Sequence, residues 1–223
     1  MNLIKYADAE MMAIDLANRL AGELTSALDH QERALMVVPG GTTPGPIFDS
    51  LCAADLDWAR VDVLLSDERW RPEEHVRSNT RLLRARLLTD RAAAARYLPL
   101  YVNAETPEEV LPELEAGIVD KLPISVMLLG MGVDMHTASI FPGADRLADA
   151  LDHNAKILVP MRVAGEPEPR VTLSARILNG ALAKHVVIIG DAKRAALERA
   201  RSLPHDQAPV AAILNEADVH WAP

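Results

Sequence analysis

His136 is the side chain best placed in this sequence to move a proton near neutral pH. It lies in Asp134-Met135-His136-Thr137, just after the apolar run 124–129 (ISVMLL) and two residues from a carboxylate. Such a pair can be a base with its orienting partner, half of a metal site, or a capped turn. No second His or Cys stands near enough in sequence to complete a metal cluster, and His75 could join only through the fold. Acid–base chemistry is therefore the leading reading, a structural turn the next, and a metal the last. The remaining histidines, at 30, 153, 185, 205 and 220, read as surface or helix-end positions.

Four other places in the chain carry groups suited to an anion. Gly40-Gly41-Thr42-Thr43 precedes a helix starting near Pro44 or Pro46, and offers backbone N–H groups, two hydroxyls and a helix N-terminus. A phosphate cradle and a plain tight turn are equally good readings of that fragment. It is not a Walker loop, since no Gly-Lys-Ser/Thr follows, and Gly130-Met131-Gly132 is not a dinucleotide fingerprint, since Met135 stands where a third glycine is needed. Asp67-Glu68-Arg69 sets two carboxylates and a guanidinium at a strand end, either as a surface ion pair or as part of a binding crevice. Lys193 falls in the first turn of a helix, where a cation opposes the helix dipole, a placement better explained by an anionic ligand than by helix stability. Arg170, after the loop VAGEPEP, is either a solvated charge or a ligand clamp.

These groups need a scaffold that brings them together. Short apolar runs at 34–38, 61–65, 124–129, 157–159 and 186–189 read as buried strands, without in/out alternation. Between them lie helical stretches: 9–28 with Asp8 as cap, 46–54, 78–88, one opened by the Thr106-Pro107-Glu108-Glu109 capping box and disturbed by Pro112, and 191–201. From residue 215 the chain reads as a short tail. The alternation predicts an α/β, three-layer, Rossmann-like parallel sheet with helices on both faces, formed as a single domain over 1–223. Four polar loops, 39–43, 66–79, 130–143 and 190–193, all but the second bearing glycine, each follow a strand run. In open α/β sheets, ligands bind outside the carboxyl ends of the strands, so the loops are expected to converge on one site.

Composition narrows the partners. A formal charge of −9 argues against nucleic acid or an anionic membrane, both of which call for a basic footprint, yet leaves room for a few cations in one pocket. The single Cys52 excludes an internal disulfide and reads as a small buried apolar residue. No segment reads as a signal peptide, and the longest uncharged apolar run, 122–133, is too short to span a bilayer, so a cytoplasmic protein is expected.

The stretches VPGGTTPGPIFDSL, VDVLLSDERWRPEEHVRSNTRLL, VMLLGMGVDMHTASIFPG, EPRVTLSARILNGA and VVIIGDAK, in this order over residues 37–193, resemble the 6-phosphogluconolactonase family. Its hallmarks are a G-G-[ST]-[ST/P]-P loop, a D-E-R-x-x-P…S-N segment and a G-M-G-x-D-G-H-T-A-S-x-F-P-G loop. The resemblance implies a sugar-phosphate isomerase-like fold, shared with glucosamine-6-phosphate deaminase. It also implies metal- and cofactor-free hydrolysis of 6-phospho-D-glucono-1,5-lactone to 6-phosphogluconate, a step of the oxidative pentose phosphate pathway. Carried over residue by residue, it makes His136 the acid/base, with Asp134 and Asp67 shaping the site. Gly40, Gly41, Thr42, Arg69, Arg170 and Lys193 would hold the phosphate. The expected partner is thus a small sugar-phosphate lactone, bound by a monomer or small homo-oligomer. Met135 departs from the family pattern, which has glycine there; glycine suits a backbone conformation that is costly for Met. Two rivals are a deaminase-like isomerase and a non-catalytic sugar-phosphate sensor. The stretch 137–143 lacks the extra carboxylate of the first, and no basic helix-turn-helix supports the second.

Overall fold

The computed structural model describes residues 1–223. Its strands and helices run β1 (Asn2–Lys5), α1 (Ala9–His30), β2 (Ala34–Val38), α2 (Gly45–Leu51), β3 (Val61–Leu65), β4 (Asp67–Arg69), α3 (Asn79–Arg86), β5 (Arg96–Leu98) and α4 (Leu111–Ala116). They continue with β6 (Val126–Gly130), α5 (Leu147–Leu151), β7 (Leu158–Met161), β8 (Arg170–Leu173), α6 (Ala175–Asn179), β9 (Ala183–Ile189), α7 (Asp191–Ala200) and β10 (Asp218–Ala222).

Seven strands form one sheet in the order β1-β10-β9-β6-β2-β3-β5. Every neighbouring pair in it is parallel. All residues of β2 and β3 are buried, so both faces of the sheet are covered, which is why these runs are apolar rather than alternating, apart from Asp62, whose carboxylate is paired with Arg33 and Arg96. Along α1, Met12, Leu16, Leu20, Leu24 and Leu28 recur every four residues and face the core, while the Asp8 carboxylate accepts from the Met11 N–H at 2.8 Å and caps the first turn. The Thr106 cap is also present, with the Glu109 carboxylate accepting from the Thr106 N–H, but it opens only a 3-10 turn. The helix proper, α4, begins afterwards and takes Pro112 in its first turn, where a missing N–H costs nothing.

Two sequence expectations change here. The run at 157–159 does not join the parallel sheet; β7 lies at the edge of a separate antiparallel sheet ordered β4-β8-β7. Pro160 is tolerated in β7 because an edge strand has one unpaired side. The chain end is not a tail either. It folds as β10 between β1 and β9, and drives His220 into the interior at 0% exposure, beside His185 at 2%. Neither histidine is therefore the surface or helix-end residue expected from sequence.

Candidate active site

The four polar loops follow β2, β3, β6 and β9, and in the sheet these strands are consecutive neighbours, β9-β6-β2-β3. Parallel pairing puts their carboxyl ends on one edge, so the loops meet there around a cleft of about 200 Å³. Gly40, Gly41, Thr43, Asp67, Arg69, Asn79, His136, Arg170 and Lys193 line it. Thr42 is exposed outside the lining, and Thr43 stands in its place. Asp134 is not in the lining but lies directly behind His136.

The His136 loop is built for close approach. Gly132 packs so tightly under the pair that an added Cβ would lie 2.3 Å from both Asp134 Oδ1 and His136 Nδ1. Asp134 Oδ1 and His136 Nδ1 are 2.5 Å apart, and Asp134 Oδ1 also accepts from the His136 backbone N–H at 3.3 Å. The hydrogen bond from His136 holds the Asp134 carboxyl below the usual carboxylate range, against the opposing effect of partial burial. An ionised Asp134 fixes a proton on Nδ1, which leaves Nε2 as the nitrogen able to accept one. Met135, between them, has φ of +65°, the left-handed conformation for which glycine is suited. The ring of His136 stacks on Phe141, centroids 4.0 Å apart and 20° from parallel, and the guanidinium of Arg170 lies 5.1 Å from the same Phe141 ring.

Asp67 is the first residue of β4 and is buried at 6% exposure. Its two oxygens accept from Ser66 Oγ at 2.8 Å and Ser139 Oγ at 2.6 Å, which fixes the carboxylate at the cleft wall. Glu68 points the other way. Burial pushes its carboxyl upward, while five hydrogen bonds, from the backbone N–H groups of Arg69, Asn79 and Thr80 and the hydroxyls of Ser78 and Thr80, pull it back. Four of those donors belong to the cap and first turn of α3, so Glu68 anchors that helix rather than serving the cleft. Asn79, at the start of α3, donates to the Asp67 carbonyl at 3.0 Å. A Cβ at Gly40 would meet its side chain at 2.1 Å, so only glycine lets the 39–43 loop lie against α3.

Three cations face this wall. Arg69 and Arg170 are register partners across β4 and β8, an arrangement of like charges that is unfavourable unless an anion lies between or beside them. Arg170 is 5% exposed and binds Glu166 through Nη2 at 2.9 Å and Ser139 Oγ through Nη1 at 3.4 Å; Arg69 donates through Nη1 to the Arg77 carbonyl at 2.8 Å. The Nε–H groups of both guanidiniums are buried without a partner. Lys193, in the first turn of α7 behind Gly190 at φ +90°, makes no ion pair. Buried polar groups are rarely left unsatisfied, and three incompletely paired cations in one cleft are donors arranged for an anionic ligand.

Sequence reasoning assigned no role to Phe141, Ser139, Asn79 or Glu166. Asn79 and Phe141 lay inside recognised motif stretches, so a signal for them existed. Ser139 lay in the same motif as Phe141, while nothing in the sequence marks Glu166, whose contact to Arg170 depends on how its loop folds. His75 lies outside the cleft lining, and its Nδ1 accepts from the Arg77 N–H at 3.2 Å.

Fold and cleft together define an α/β protein of the sugar-phosphate isomerase-like class, with a His–carboxylate pair facing a cluster of cations at the strand ends. The chain belongs to the family of glucosamine-6-phosphate isomerases and 6-phosphogluconolactonases, whose model matches residues 7–221. It is 40% identical over 226 residues to a 6-phosphogluconolactonase of Mesorhizobium japonicum, spanning 98% of this chain and 94% of that one. A 6-phosphogluconolactonase of Pseudomonas aeruginosa is 39% identical, over 98% of this chain and 93% of its own. Among solved structures, a 6-phosphogluconolactonase from Shewanella baltica superposes with a TM-score of 0.96 at 29% identity, covering 100% of this chain and 98% of its own. A monomeric glucosamine-6-phosphate deaminase superposes with a TM-score of 0.83 at 14% identity, covering 100% and 97%, a likeness of fold alone. No helix is long and apolar enough to cross a membrane.

Proposed function

We propose that this protein is a 6-phosphogluconolactonase that hydrolyses 6-phospho-D-glucono-1,5-lactone to 6-phosphogluconate, with all of 1–223 as one catalytic domain acting in the cytoplasm. The observation that carries the reading is the His136–Asp134 pair held across one cleft from Arg69, Arg170 and Lys193. The relatives near 40% identity over almost their whole length favour lactone hydrolysis over the deaminase chemistry of the same fold.

In this reading the three cations and the Gly40–Gly41 backbone take the 6-phosphate, with Thr42 or its neighbour Thr43 adding a hydroxyl. The remote phosphate then supplies binding energy that orients the lactone carbonyl. Nε2 of His136 removes a proton from a water as its oxygen attacks C1, and Asp134 stabilises the imidazolium that forms. The oxyanion on the tetrahedral carbon develops in the positive field of the cation cluster. As it collapses, the C1–ring oxygen bond breaks and His136 returns its proton to the ring oxygen. Water and lactone give the hydroxy acid, which ionises to the product. Asp67, held by two serine hydroxyls, shapes the wall against which the sugar lies.

A pH-stat assay on freshly prepared 6-phosphogluconolactone, run beside glucosamine 6-phosphate, tests the assignment. Acid release from the lactone above its spontaneous rate, with no ammonia from the amino sugar, is the expected result. Ammonia release without accelerated lactone opening would overturn it.

A further inference from the structure

A second cluster of titratable groups lies outside the cleft, beneath α1 at the β1 edge of the sheet. A line of hydrogen bonds joins five side chains there. Tyr6 Oη donates to Asp15 Oδ2 at 2.7 Å and meets His220 Nδ1 at 2.9 Å; His220 Nε2 meets His185 Nδ1 at 3.0 Å; and His185 Nε2 meets Glu23 Oε2 at 2.6 Å. Both imidazoles are buried.

Counting protons along this line shows what is missing. A phenol has a single proton, and Tyr6 gives it to Asp15, whose carboxylate only accepts. His220 must therefore place its own proton on Nδ1, facing the Tyr6 oxygen, which leaves Nε2 bare. At the other end the Glu23 carboxylate takes the proton on His185 Nε2, which leaves Nδ1 bare. Two lone pairs then face each other at 3.0 Å unless a shared proton or a metal cation lies between them.

The geometry points to a divalent metal site at this position, with His185 Nδ1 and His220 Nε2 as nitrogen ligands and the Asp218 carboxylate as the oxygen ligand. Asp218 is the register partner of His185 across β9 and β10, and precedes His220 by two residues on the same strand, so all three side chains project from one face. Their ligating atoms lie within 4.8 Å of one another. Tetrahedral bonds of about 2.0–2.1 Å from zinc to nitrogen set the two nitrogens about 3.3 Å apart, so the imidazoles need to separate by only a few tenths of an ångström. The outer nitrogens already have the partners that hold and orient metal-bound histidines, a carboxylate for His185 and a phenol for His220.

Charge balance supports the same conclusion. The groups facing the pair are Asp15, Arg19 and Glu23 from α1, Tyr6 from the segment after β1, and Asp218 from β10. Three carboxylates against one guanidinium leave two negative charges, which a divalent ion neutralises. Asp218 keeps lone pairs free beyond its contacts with Asn2 and Arg19, both at 3.1 Å, and its side chain is 29% exposed, which gives an entry path. Two imidazoles and one carboxylate, with a fourth position for water, suit zinc among the common divalent ions. Bound there, the ion ties α1 and both ends of the chain to β9.

Metal-stripped, untagged protein titrated with zinc at pH 7 by calorimetry, in two buffers of different ionisation heat, tests this. One equivalent should bind, with release of the proton otherwise shared by the imidazoles. Cobalt in place of zinc should give visible absorption bands of tetrahedral type. His220→Gln should abolish both signals. Glu23→Gln and Asp218→Asn alter partly exposed carboxylates, so the site can be read in them even where a buried histidine variant fails to fold. Glu23→Gln should weaken zinc about 10–100-fold with unchanged circular dichroism. The site is refuted if the native protein takes up no zinc, or if folded Glu23→Gln and Asp218→Asn bind it as tightly as the native chain. Lactone turnover is not a readout here, so failure of this site and failure of the lactonase reading are separate outcomes.

Discussion

Replacing Gly132 by Ala is the sharpest test of the His136–Asp134 pair. The new Cβ would lie 2.3 Å from both Asp134 Oδ1 and His136 Nδ1, whereas ordinary contacts begin near 3.4 Å. Both groups must withdraw by about 1 Å. Their 2.5 Å hydrogen bond cannot survive that in its present geometry, and His136 can no longer present Nε2 at the same point. A misplacement of about 1 Å in a reacting group costs on the order of 10²-fold, so kcat on 6-phosphogluconolactone should fall by about that factor. Arg69, Arg170 and Lys193 stand on other elements and stay in place, so the dissociation constant for 6-phosphogluconate should change by less than about threefold. Stopped-flow lactone hydrolysis gives the first quantity and product titration by calorimetry the second. Native-like kcat in the folded variant would mean that the pair does not set the rate. Equal losses in turnover and product binding would mean that the loop positions the phosphate rather than the base.

His136→Asn should lower kcat by about 10²–10⁴-fold while leaving product binding intact; a near-native kcat would place the base elsewhere in the cleft, with Asp67 next in line. Lys193→Ala or Arg69→Ala should cost about tenfold or more in kcat/KM on the phosphorylated lactone, since a charge-assisted hydrogen bond is worth roughly 1.5–3 kcal/mol, and little on gluconolactone itself; equal losses on both would exclude phosphate reading. Asp134 has a depressed carboxyl in the folded state, so its pairing with His136 contributes stability that is complete above the unfolded value of about 3.9 and is lost as pH falls through the folded value. Acid unfolding of Asp134→Asn should accordingly lack part of the native pH dependence below about pH 4, and identical acid profiles would show that the pair contributes nothing to stability.

Met135 shows how a local sequence feature acquires meaning in three dimensions. As a letter it is a departure from a family glycine. In the structure it occupies φ +65°, beside Ala138 at +49°, so two non-glycine residues bracket His136 in left-handed backbone. Such conformations cost about 1–2 kcal/mol each and persist where the surroundings over-determine them. The stacked Phe141 ring and the Thr137 Oγ1 bond to the Gly130 carbonyl at 2.9 Å are contacts of that kind.

The sequence by itself determined the parallel sheet, because strands covered on both faces are apolar with little in/out alternation, and 34–38, 61–65 and 124–129 carry that mark despite Asp62 and Ser125. It also marked the four loops and most cleft residues, since glycines, a strand-end histidine and a helix-start lysine have local chemical reasons to be where they are. It could not show that β10 enters the sheet, because Asp218-Val219-His220-Trp221-Ala222 gains its apolar surroundings only from α1, β1 and β9. For the same reason it left Arg69 and Arg170 as separate charges until β4 and β8 paired them. The tertiary structure alone brought His185 and His220 together. They are 35 residues apart in the chain, and the 3.0 Å between their nitrogens is set by strand register, which only long-range packing can fix.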